Sequence, residues 1–339
     1  MFNQRRVPKE TGIFLILIGI IIVLGLVAPA FLTVSNVFNV LLNSTTIALL
    51  ALGETFVLLT AGIDLSVGAV LALSGVVAAE AFGAHLPWEL ATLLGILSGS
   101  AIGLFNGIVI HFTKVPPFIA TFASLGIASS IPLILTSAVP IGIQNNVFQD
   151  IGQGFLFGVV PIAVLILLLM AVILHLGLTM SRFGIHVYAT GGNREAARLA
   201  GINLAKMDIA VYTISGTLAG LGGIVLASRL GSGYPTAGSG TSLFEAISAA
   251  VVGGVSLFGG VGTIPGALIG AVIIGSLADG MNILNVNSYW QPLVIGLVIL
   301  IAVTIDTIRT SRRRSVRITK VVADAMKPAE SSRETMNAK

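Results

Sequence analysis

The chain has 339 residues, of which 55% are hydrophobic and 9% are charged, with a net charge of +4 and no cysteine. A soluble domain carries roughly 25% charged residues, so this composition excludes a soluble protein. The lack of cysteine excludes disulfides, thiolate catalysis and cysteine metal sites. Many apolar runs reach the roughly 20 residues that a membrane-spanning helix needs, without the alternation of barrel strands. The sequence therefore predicts an all-α integral membrane protein.

The predicted fold is a polytopic helical bundle of about ten membrane spans, some of them broken or re-entrant. The first apolar run ends in Ala28-Pro29-Ala30, so a cleavable signal peptide is an alternative to a first span. Its apolar core is longer than that of most signal peptides, which favours an uncleaved span. The candidate breaks inside discontinuous helices are at 61–66 and 259–263. In chain order the predicted spans are 12–31, 41–60, 65–84, 88–111, 117–137, 158–177, 207–228, 244–258, 264–282 and 289–306.

The basic residues predict the orientation of the chain. Arg5, Arg6 and Lys9 place the N-terminus in the cytoplasm, and ten spans return the C-terminus to the same side. Of the 18 basic residues, only Arg229 then lies outside. Because they gather at membrane edges, they indicate membrane lipid and not nucleic acid as their partner. The predicted divisions are a cytoplasmic tail over 1–11, a single transmembrane domain over 12–306 with a cytoplasmic loop at 178–206, and a basic, partly disordered cytoplasmic tail over 307–339.

Glycines recur at every fourth residue on two of the predicted spans. Small residues let helices approach each other closely in lipid, where no hydrophobic force drives them together. A Gly-x5-Gly-Ala pattern also begins at both Gly62 and Gly260, which indicates a duplicated hairpin unless the abundance of glycine produced the match by chance. The predicted packing faces are Gly95, Gly99, Gly103 and Gly107 on the fourth span, and Gly262, Gly266 and Gly270 on the ninth.

No pattern that is typical of an enzyme occurs in the sequence. The four histidines lie far apart without an HExxH pair, no GxSxG elbow is present, and no lysine follows a glycine as a phosphate-binding loop requires. The chain is therefore predicted not to be an enzyme and to hold no cofactor or metal. Any role that uses ATP needs a partner subunit.

Polar side chains within or beside the predicted spans are the candidate pathway residues. Most are uncharged amides and hydroxyls, which suit a neutral polyol better than an ion. Glu54 is the one carboxylate predicted deep in a span, whereas Asp64, Glu245 and Asp279 fall near span ends. A proton relay through Glu54 would make the chain a stand-alone carrier, although structural hydrogen bonding is the commoner role of such a residue. The candidates are Glu54, Thr60, Asp64, Asn106, Thr121 and Asn282.

The most polar interior stretch is YATGGNREAARLAGI, residues 188–202, in the predicted cytoplasmic loop. Asn193 is a good N-cap, Glu195 lies in the first turn where the helix dipole favours it, and Gly201 is a natural stop. A helix is therefore predicted over 194–200. Since seven residues cannot hold a helix alone in water, and since the alanines give it small faces, it suits insertion into a groove on another protein.

Four strings carry a resemblance to a known family: LGETFVLLTAGIDLSVGAVLALSG (52–75), FNGIVIHFTKVPPFIATFASLGIASS (105–130), YATGGNREAARLAGI, and AISAAVVGGVSLFGGVGTIPGALIGAVIIG (246–275). From the first span to Asp306, the chain resembles the sugar-type permease subunits of bacterial ATP-binding cassette importers, the ribose, xylose and galactoside group. This resemblance implies a multi-pass protein of the bacterial inner membrane that pairs with a second permease subunit, identical or related. It also implies two cytoplasmic ATPases, which bind the ATP and magnesium, and a periplasmic or lipid-anchored sugar-binding protein.

In that family the loop with an EAA-type motif forms a coupling helix that docks in a groove of the ATPase. EAARLAG, residues 195–201, matches this motif. The coupling residues that the resemblance implies are Gly192, Asn193, Arg194, Glu195, Ala196, Ala197, Arg198 and Gly201.

Two positions depart from the family pattern. Ala61 stands where a second glycine is common, and Glu54 stands where the residue is commonly uncharged. The related branched-chain amino-acid permeases typically carry a GMINFAHG-like string in place of AGIDLSVG. The leading hypothesis is a sugar-importer permease. The alternatives are a proton-coupled stand-alone carrier and an amino-acid or nucleoside importer permease of the same superfamily.

Overall fold

Apolar helices make up most of the chain, as the sequence predicts. The computed structural model describes residues 10–238 and 240–325, with side chains as far as 308. Within these ranges the helices are α1 (Thr11–Val27), α2 (Val34–Leu59), α3 (Val67–Gly83), α4 (Trp88–Thr113), α5 (Pro117–Thr136), α6 (Asn146–Gln153), α7 (Ile162–Met180), α8 (Arg182–Gly192), α9 (Arg194–Leu199), α10 (Leu204–Leu230), α11 (Ser242–Val252), α12 (Ile264–Ile283) and α13 (Trp290–Ala325). A 3-10 helix covers Pro29–Leu32.

Four two-residue strands are also present in the described ranges. β1 (Ile141–Gly142) pairs antiparallel with β4 (Ser232–Gly233), so that Ile141 lies opposite Gly233. β2 (Phe155–Leu156) pairs antiparallel with β3 (Val160–Pro161). The first pair joins the loops that follow α5 and α10, and the second closes the loop between α6 and α7.

Seven described helices are long and apolar enough to cross a membrane: α2, α4, α5, α7, α10, α12 and the Trp290–Ile308 part of α13. The shorter apolar helices α1, α3 and α11 coincide with the three remaining predicted spans. The multi-pass helical membrane fold is thus confirmed. The count of ten crossings and the side of each terminus stay predictions. Arg5, Arg6 and Lys9, and the tail from residue 326, lie outside the described residues.

The structure differs from the predicted spans at three places. α11 ends at Val252, six residues before the predicted end of the eighth span, because Gly253 and Gly254 begin a break. α13 continues to Ala325, well beyond the predicted end of the tenth span at 306, since the basic sequence there also forms a helix. The loop between the fifth and sixth predicted spans contains α6, which Asn145 caps by accepting from the Phe148 amide at 2.9 Å.

α4 and α10 pack with their backbones close together. A methyl group on Gly99 would lie 2.5 Å from the Gly216 carbonyl oxygen, and one on Gly107 would lie 2.6 Å from Ile209 Cα. Gly103 meets the Tyr212 carbonyl in the same way. Contacts this short need glycine, since any side chain would force the helices apart. The glycine face of α4 thus fits against α10 along most of its length.

The glycines of α12 form a shorter face than the sequence predicts. Gly266 and Gly270 pack against Gly253 and Ala249 of the α11 region. Gly262 is not part of this face, because it precedes the helix, where its φ of +154° is a conformation that residues with a side chain rarely adopt. The helix begins after it because Thr263 is the N-cap, accepting from the Gly266 amide at 3.1 Å.

The chain leaves helical geometry at two breaks, one between α2 and α3 and one between α11 and α12. In the first, Ala61 has φ of +62°, the left-handed region that favours glycine. In the second, Gly259 and Gly260 have φ of +81° and +69°. Both breaks coincide with the Gly-x5-Gly-Ala patterns of the sequence. The two breaks are therefore observed, whereas their place inside membrane-spanning helices and the duplication of the hairpin stay predictions.

Candidate functional site

Helix α9 is closed at both ends by local hydrogen bonds. Asn193 Oδ1 accepts from the Ala196 amide at 3.0 Å. At the other end Gly201 has φ of +83°, its amide donates to the Arg198 carbonyl, and the Ile202 amide donates to the Ala197 carbonyl, both at 3.0 Å. This pair of bonds is a Schellman motif, which satisfies carbonyls that a helix end leaves free. The helix predicted over 194–200 is thus observed one residue shorter.

α9 presents nearly all of its surface outward. Of its six residues, all described, only Ala197 is buried. Leu199 is 82% exposed, although leucine is apolar. Glu195 and Arg198 pair across the exposed face at 2.8 Å. A short capped helix with an exposed leucine and small alanines is typical of a segment that fits a partner's groove. Leu199 was not among the predicted coupling residues.

A buried aspartate ties α9 to two membrane helices. Asp208 Oδ2, near the start of α10, accepts from Arg194 Nη2 at 2.5 Å. His111 Nδ1, in the last turn of α4, lies 2.8 Å from the same oxygen. We call Arg194, Asp208 and His111 the Asp208 latch. Asp208 and His111 were not among the predicted site residues, because His111 and Arg194 lie far apart in sequence and only the fold brings them together.

The C-terminal end of α8 packs against both breaks. The Gly260 amide of the second break donates to the Leu59 carbonyl at the end of α2 at 2.9 Å. A methyl group on Gly191 would overlap that carbonyl oxygen and lie 2.7 Å from the Gly260 nitrogen. Tyr188 Oη donates to the Gly262 carbonyl at 2.8 Å. We call the contact of Leu59, Gly191 and Gly260 the break junction.

Partial burial favours the neutral form of Tyr188 and raises the pKa of its hydroxyl. The hydroxyl therefore stays protonated and keeps donating to the Gly262 carbonyl. This bond adds a side-chain tie between α8 and the second break.

Four of the predicted pathway residues meet around the first break. Asp64 is 1% exposed, and its Oδ2 accepts from Ser215 Oγ of α10 at 2.8 Å. Glu54 Oε1 accepts from the Asp64 amide at 3.2 Å. Asp64 was predicted near a span end, but the break turns the chain within the bundle, so that this helix end is interior.

The same network continues towards α4 and α5 through uncharged groups. Ser66 Oγ donates to Asp64 Oδ1 at 2.6 Å and accepts from Asn106 Nδ2 at 3.0 Å. Ser124 Oγ of α5 donates to Asn106 Oδ1. Thr121 Oγ1 donates to the Ile63 carbonyl of the break at 3.2 Å. These bonds give Asp64, Asn106 and Thr121 a structural role, and their place in a pathway stays a prediction.

The remaining two predicted pathway residues lie apart from this network. Thr60 Oγ1 donates to the Val57 carbonyl of its own helix at 2.8 Å. Asn282 lies on α12, where its Oδ1 accepts from Gln291 Nε2 at 2.7 Å. Asp279, also predicted near a span end, is buried and accepts from Asn36 Nδ2 at 2.8 Å. Among the described residues, no cluster of three histidine or acidic side chains is arranged to hold a metal ion.

The comparison with known proteins covers nearly the whole chain. The family described as "Branched-chain amino acid transport system / permease component" matches residues 36–303. A ribose import permease of Haemophilus influenzae is 40% identical over 309 residues, 90% of this chain and 95% of the relative. A ribose import permease of Bacillus subtilis is 42% identical over 302 residues, 88% of this chain and 93% of the relative.

A D-allose transport system permease of Escherichia coli is 39% identical over 307 residues, 90% of this chain and 94% of the relative. No solved structure matches the chain. The resemblance of the quoted strings is thus confirmed by full-length relatives. The chain belongs to this family of transport-system permease components, within the group that includes the ribose and allose permeases.

Proposed function

We propose that the chain is the transmembrane permease subunit of an ATP-driven, binding-protein-dependent importer of a sugar, a pentose, a hexose or a related polyol. Relatives that cover about nine-tenths of the chain are ribose and D-allose permeases. The observation that carries the mechanism is α9, an exposed helix capped at both ends and joined to the bundle by the Asp208 latch. Such a helix can transmit a partner's movement because it is held rigidly at its base.

The proposed route of that movement runs from α9 through α8 to the breaks. Asn193 is both the C-cap of α8 and the N-cap of α9, so a single residue separates the two helices. α8 in turn contacts Leu59 and Gly260 at the break junction, and Tyr188 ties it to Gly262. A displacement of α9 by an ATPase therefore reaches α2 at Leu59 and, at Gly260 and Gly262, the break that joins α11 to α12.

The proposal includes the assembly and topology that the sequence implies. Two cytoplasmic ATPases bind ATP and magnesium, a second permease subunit completes the pathway, and a sugar-binding protein delivers the solute on the other side of the bacterial inner membrane. The ten spans place both termini and the 178–206 loop in the cytoplasm. The divisions are the tail 1–11, the transmembrane domain 12–306 and the basic tail 307–339.

The alternative of a proton-coupled carrier is not favoured. Glu54 is held by the Asp64 amide at 3.2 Å in the interior of the bundle, which fits a structural hydrogen bond. An amino-acid importer is not favoured either, because the relatives named above carry ribose and D-allose.

The test is sugar-stimulated ATP hydrolysis by the complete importer in vesicles, with its ATPase and binding protein. We expect Leu199→Asp to reduce the stimulation at least tenfold, because a charge on the docking face must be desolvated against the partner. Leu199→Met is the matched control, since it keeps an apolar side chain of similar size, and it is expected to retain stimulation. Full stimulation in the Leu199→Asp importer contradicts docking through α9.

A further inference from the structure

The second break, between α11 and α12, contains a turn that closes on itself. The Ser256 amide donates to the Val261 carbonyl at 2.8 Å, and the Gly259 amide donates to the Ser256 carbonyl at 3.2 Å. These bonds join the ends of the segment 256–261, which we call the break turn. Gly260 belongs to this turn and also lies at the break junction. Because the turn is short and closed, a displacement of Gly260 also displaces Ser256.

A carboxylate of α13 bonds the first residue of the break turn. Asp306 Oδ2 accepts from Ser256 Oγ at 2.9 Å. The same Ser256 oxygen accepts from the Phe258 amide at 3.2 Å, which leaves the hydroxyl proton for Asp306. Hydrogen bonds to an ionised acceptor are roughly twice as strong as neutral ones. The break turn is therefore bonded to α2 through Gly260 and to α13 through Ser256.

A second carboxylate, directly before α1, bonds the end of the same break. Glu10 Oε1 accepts from Thr263 Oγ1 at 3.0 Å. Since Thr263 is the N-cap of α12, its oxygen accepts from the Gly266 amide while its proton goes to Glu10. Ile13 of α1 also approaches the break, because its Cδ1 would lie 3.3 Å from a methyl group on Gly254. Both α1 and α13, which we call the outer helices, thus contact the second break.

Apart from these contacts, the outer helices are little buried. Of the residues of α1, all described, only Leu17 is buried. Of residues 290–308, the described side chains of α13, only Ile295 is buried. In lipid no hydrophobic force presses a helix onto the bundle, so specific contacts decide its position. The bonds of Asp306 and Glu10 are therefore a large share of what fixes each outer helix to the break.

We propose that Asp306 and Glu10 are positioning residues of the importer, which fix the outer helices to the second break so that they follow the movement of the coupling helix. The inference rests on the proposed function, in which α9 moves the break through α8, and it adds the residues that carry this movement further. When Asp306 holds Ser256, a displacement of Gly260 displaces α13 as well. When that bond is lost, the break turn yields alone, and ATP is hydrolysed without moving the helix.

The inference is tested by the ratio of sugar taken up to ATP hydrolysed, in vesicles that contain the complete importer with its binding protein. The probes are radiolabelled D-ribose, D-allose, L-arabinose and D-xylose. Asp306→Ala removes the acceptor of a charge-assisted bond, so we expect the ratio to fall about threefold or more. Asp306→Asn keeps an acceptor oxygen and is expected to keep the wild-type ratio. A side chain that only stabilised the fold would change the melting temperature and not the ratio.

Thr307→Val is the matched control on the same helix, next to Asp306. Its hydroxyl is exposed and donates to the Val303 carbonyl of α13 itself at 2.8 Å, so its removal breaks no bond to the second break. We expect the wild-type ratio. Glu10→Ala and Glu10→Gln repeat the comparison at Thr263, and only Glu10→Ala is expected to lower the ratio. An unchanged ratio in Glu10→Ala contradicts the role of that carboxylate.

A double-mutant cycle shows whether Ser256 and Asp306 act through their shared bond. Ser256→Ala removes the donor and Asp306→Ala removes the acceptor, whereas only Ser256→Ala also loses the bond from the Phe258 amide. If the side chains act through one bond, both single variants lower the ratio, and the double variant is no lower than Ser256→Ala. Losses that multiply in the double variant overturn the inference.

The outcomes separate this inference from the proposed function. If wild type takes up none of the four sugars, the proposed function fails, and the inference fails with it. If wild type takes up a sugar, and Asp306→Ala and Ser256→Ala keep its ratio, the inference alone is overturned. If the Asp306→Ala importer does not assemble, Ser256→Ala decides, because it removes only one hydroxyl group.

Discussion

The amide of Gly260 donates a hydrogen bond of 2.9 Å to the carbonyl of Leu59, and so joins the two breaks to each other. Gly191, at the end of α8, lies against both groups. This contact places the segment that leads into α9 beside the break that follows α2 and the break that precedes α12. Breaks in membrane helices are tolerated where the protein itself satisfies the freed backbone groups, and here it does so across the junction.

Gly191→Ala is expected to separate α8 from the break junction. Its methyl group would overlap the Leu59 carbonyl, and overpacking of this kind costs about 1–3 kcal/mol. We expect a lower melting temperature of the purified chain and reduced sugar uptake. Gly192→Ala is the matched control, because nothing lies within 4 Å of the added methyl group. Equal melting temperatures for the two variants would show that the junction is looser than described.

Arg194→Gln is expected to weaken the Asp208 latch. The carboxylate of Asp208 is 4% exposed and would lose a charged hydrogen-bond donor. We expect this loss to destabilise the chain by about 1–2 kcal/mol. The cost is smaller than for a fully buried pair because Arg194 is partly exposed. The control is Arg198→Gln. Arg198 and Glu195 are both exposed, so the loss of their ion pair is expected to change the melting temperature little. Thermal unfolding in detergent compares them, and a larger loss in Arg198→Gln contradicts the latch.

Ala61→Gly is expected to stabilise the chain. A left-handed residue with a Cβ costs roughly 1–2 kcal/mol, and the added freedom of glycine in the unfolded chain offsets about 0.4–1 kcal/mol of that. The net gain is about 0.5–1 kcal/mol, measured as a higher melting temperature. Ala69→Gly lies within α3 and is expected to lower it, because glycine disfavours helix by about 1 kcal/mol. A loss of stability in Ala61→Gly would show that the methyl group has a packing role.

Glu54→Gln separates the structural role of this side chain from a proton relay. The amide oxygen of glutamine can still accept from the Asp64 amide, so we expect uptake within about threefold of wild type. Glu54→Leu leaves that buried donor without a partner and is expected to destabilise the chain by about 1–3 kcal/mol. Loss of uptake in Glu54→Gln with an unchanged melting temperature would support proton transfer instead.

Features that depend on neighbouring residues could be predicted from the sequence. The limits of α9 follow from Asn193 and Gly201, which act within one turn of the helix, and the structure differs by one residue. The unusual position of Ala61 was visible as a missing glycine, and its φ of +62° gives the reason that glycine is common there.

Features that depend on distant residues could not be predicted. Asp208 meets Arg194 and His111 only after α4 and α10 pack together. Asp64 was placed near a membrane edge because hydropathy ends the span there, yet the break keeps the carboxylate inside. Ser256 and Asp306 are 50 residues apart in the chain, and the sequence does not show that α13 returns to the second break.

The most direct test of the coupling role of α9 is site-specific photocrosslinking in the complete importer. With p-benzoylphenylalanine at Leu199, we expect a crosslink to the ATPase subunit. The same probe at Val159, in the β2–β3 turn that the proposed topology places on the other side of the membrane, is expected to give none. A crosslink to the ATPase from position 159 and none from position 199 would contradict the account.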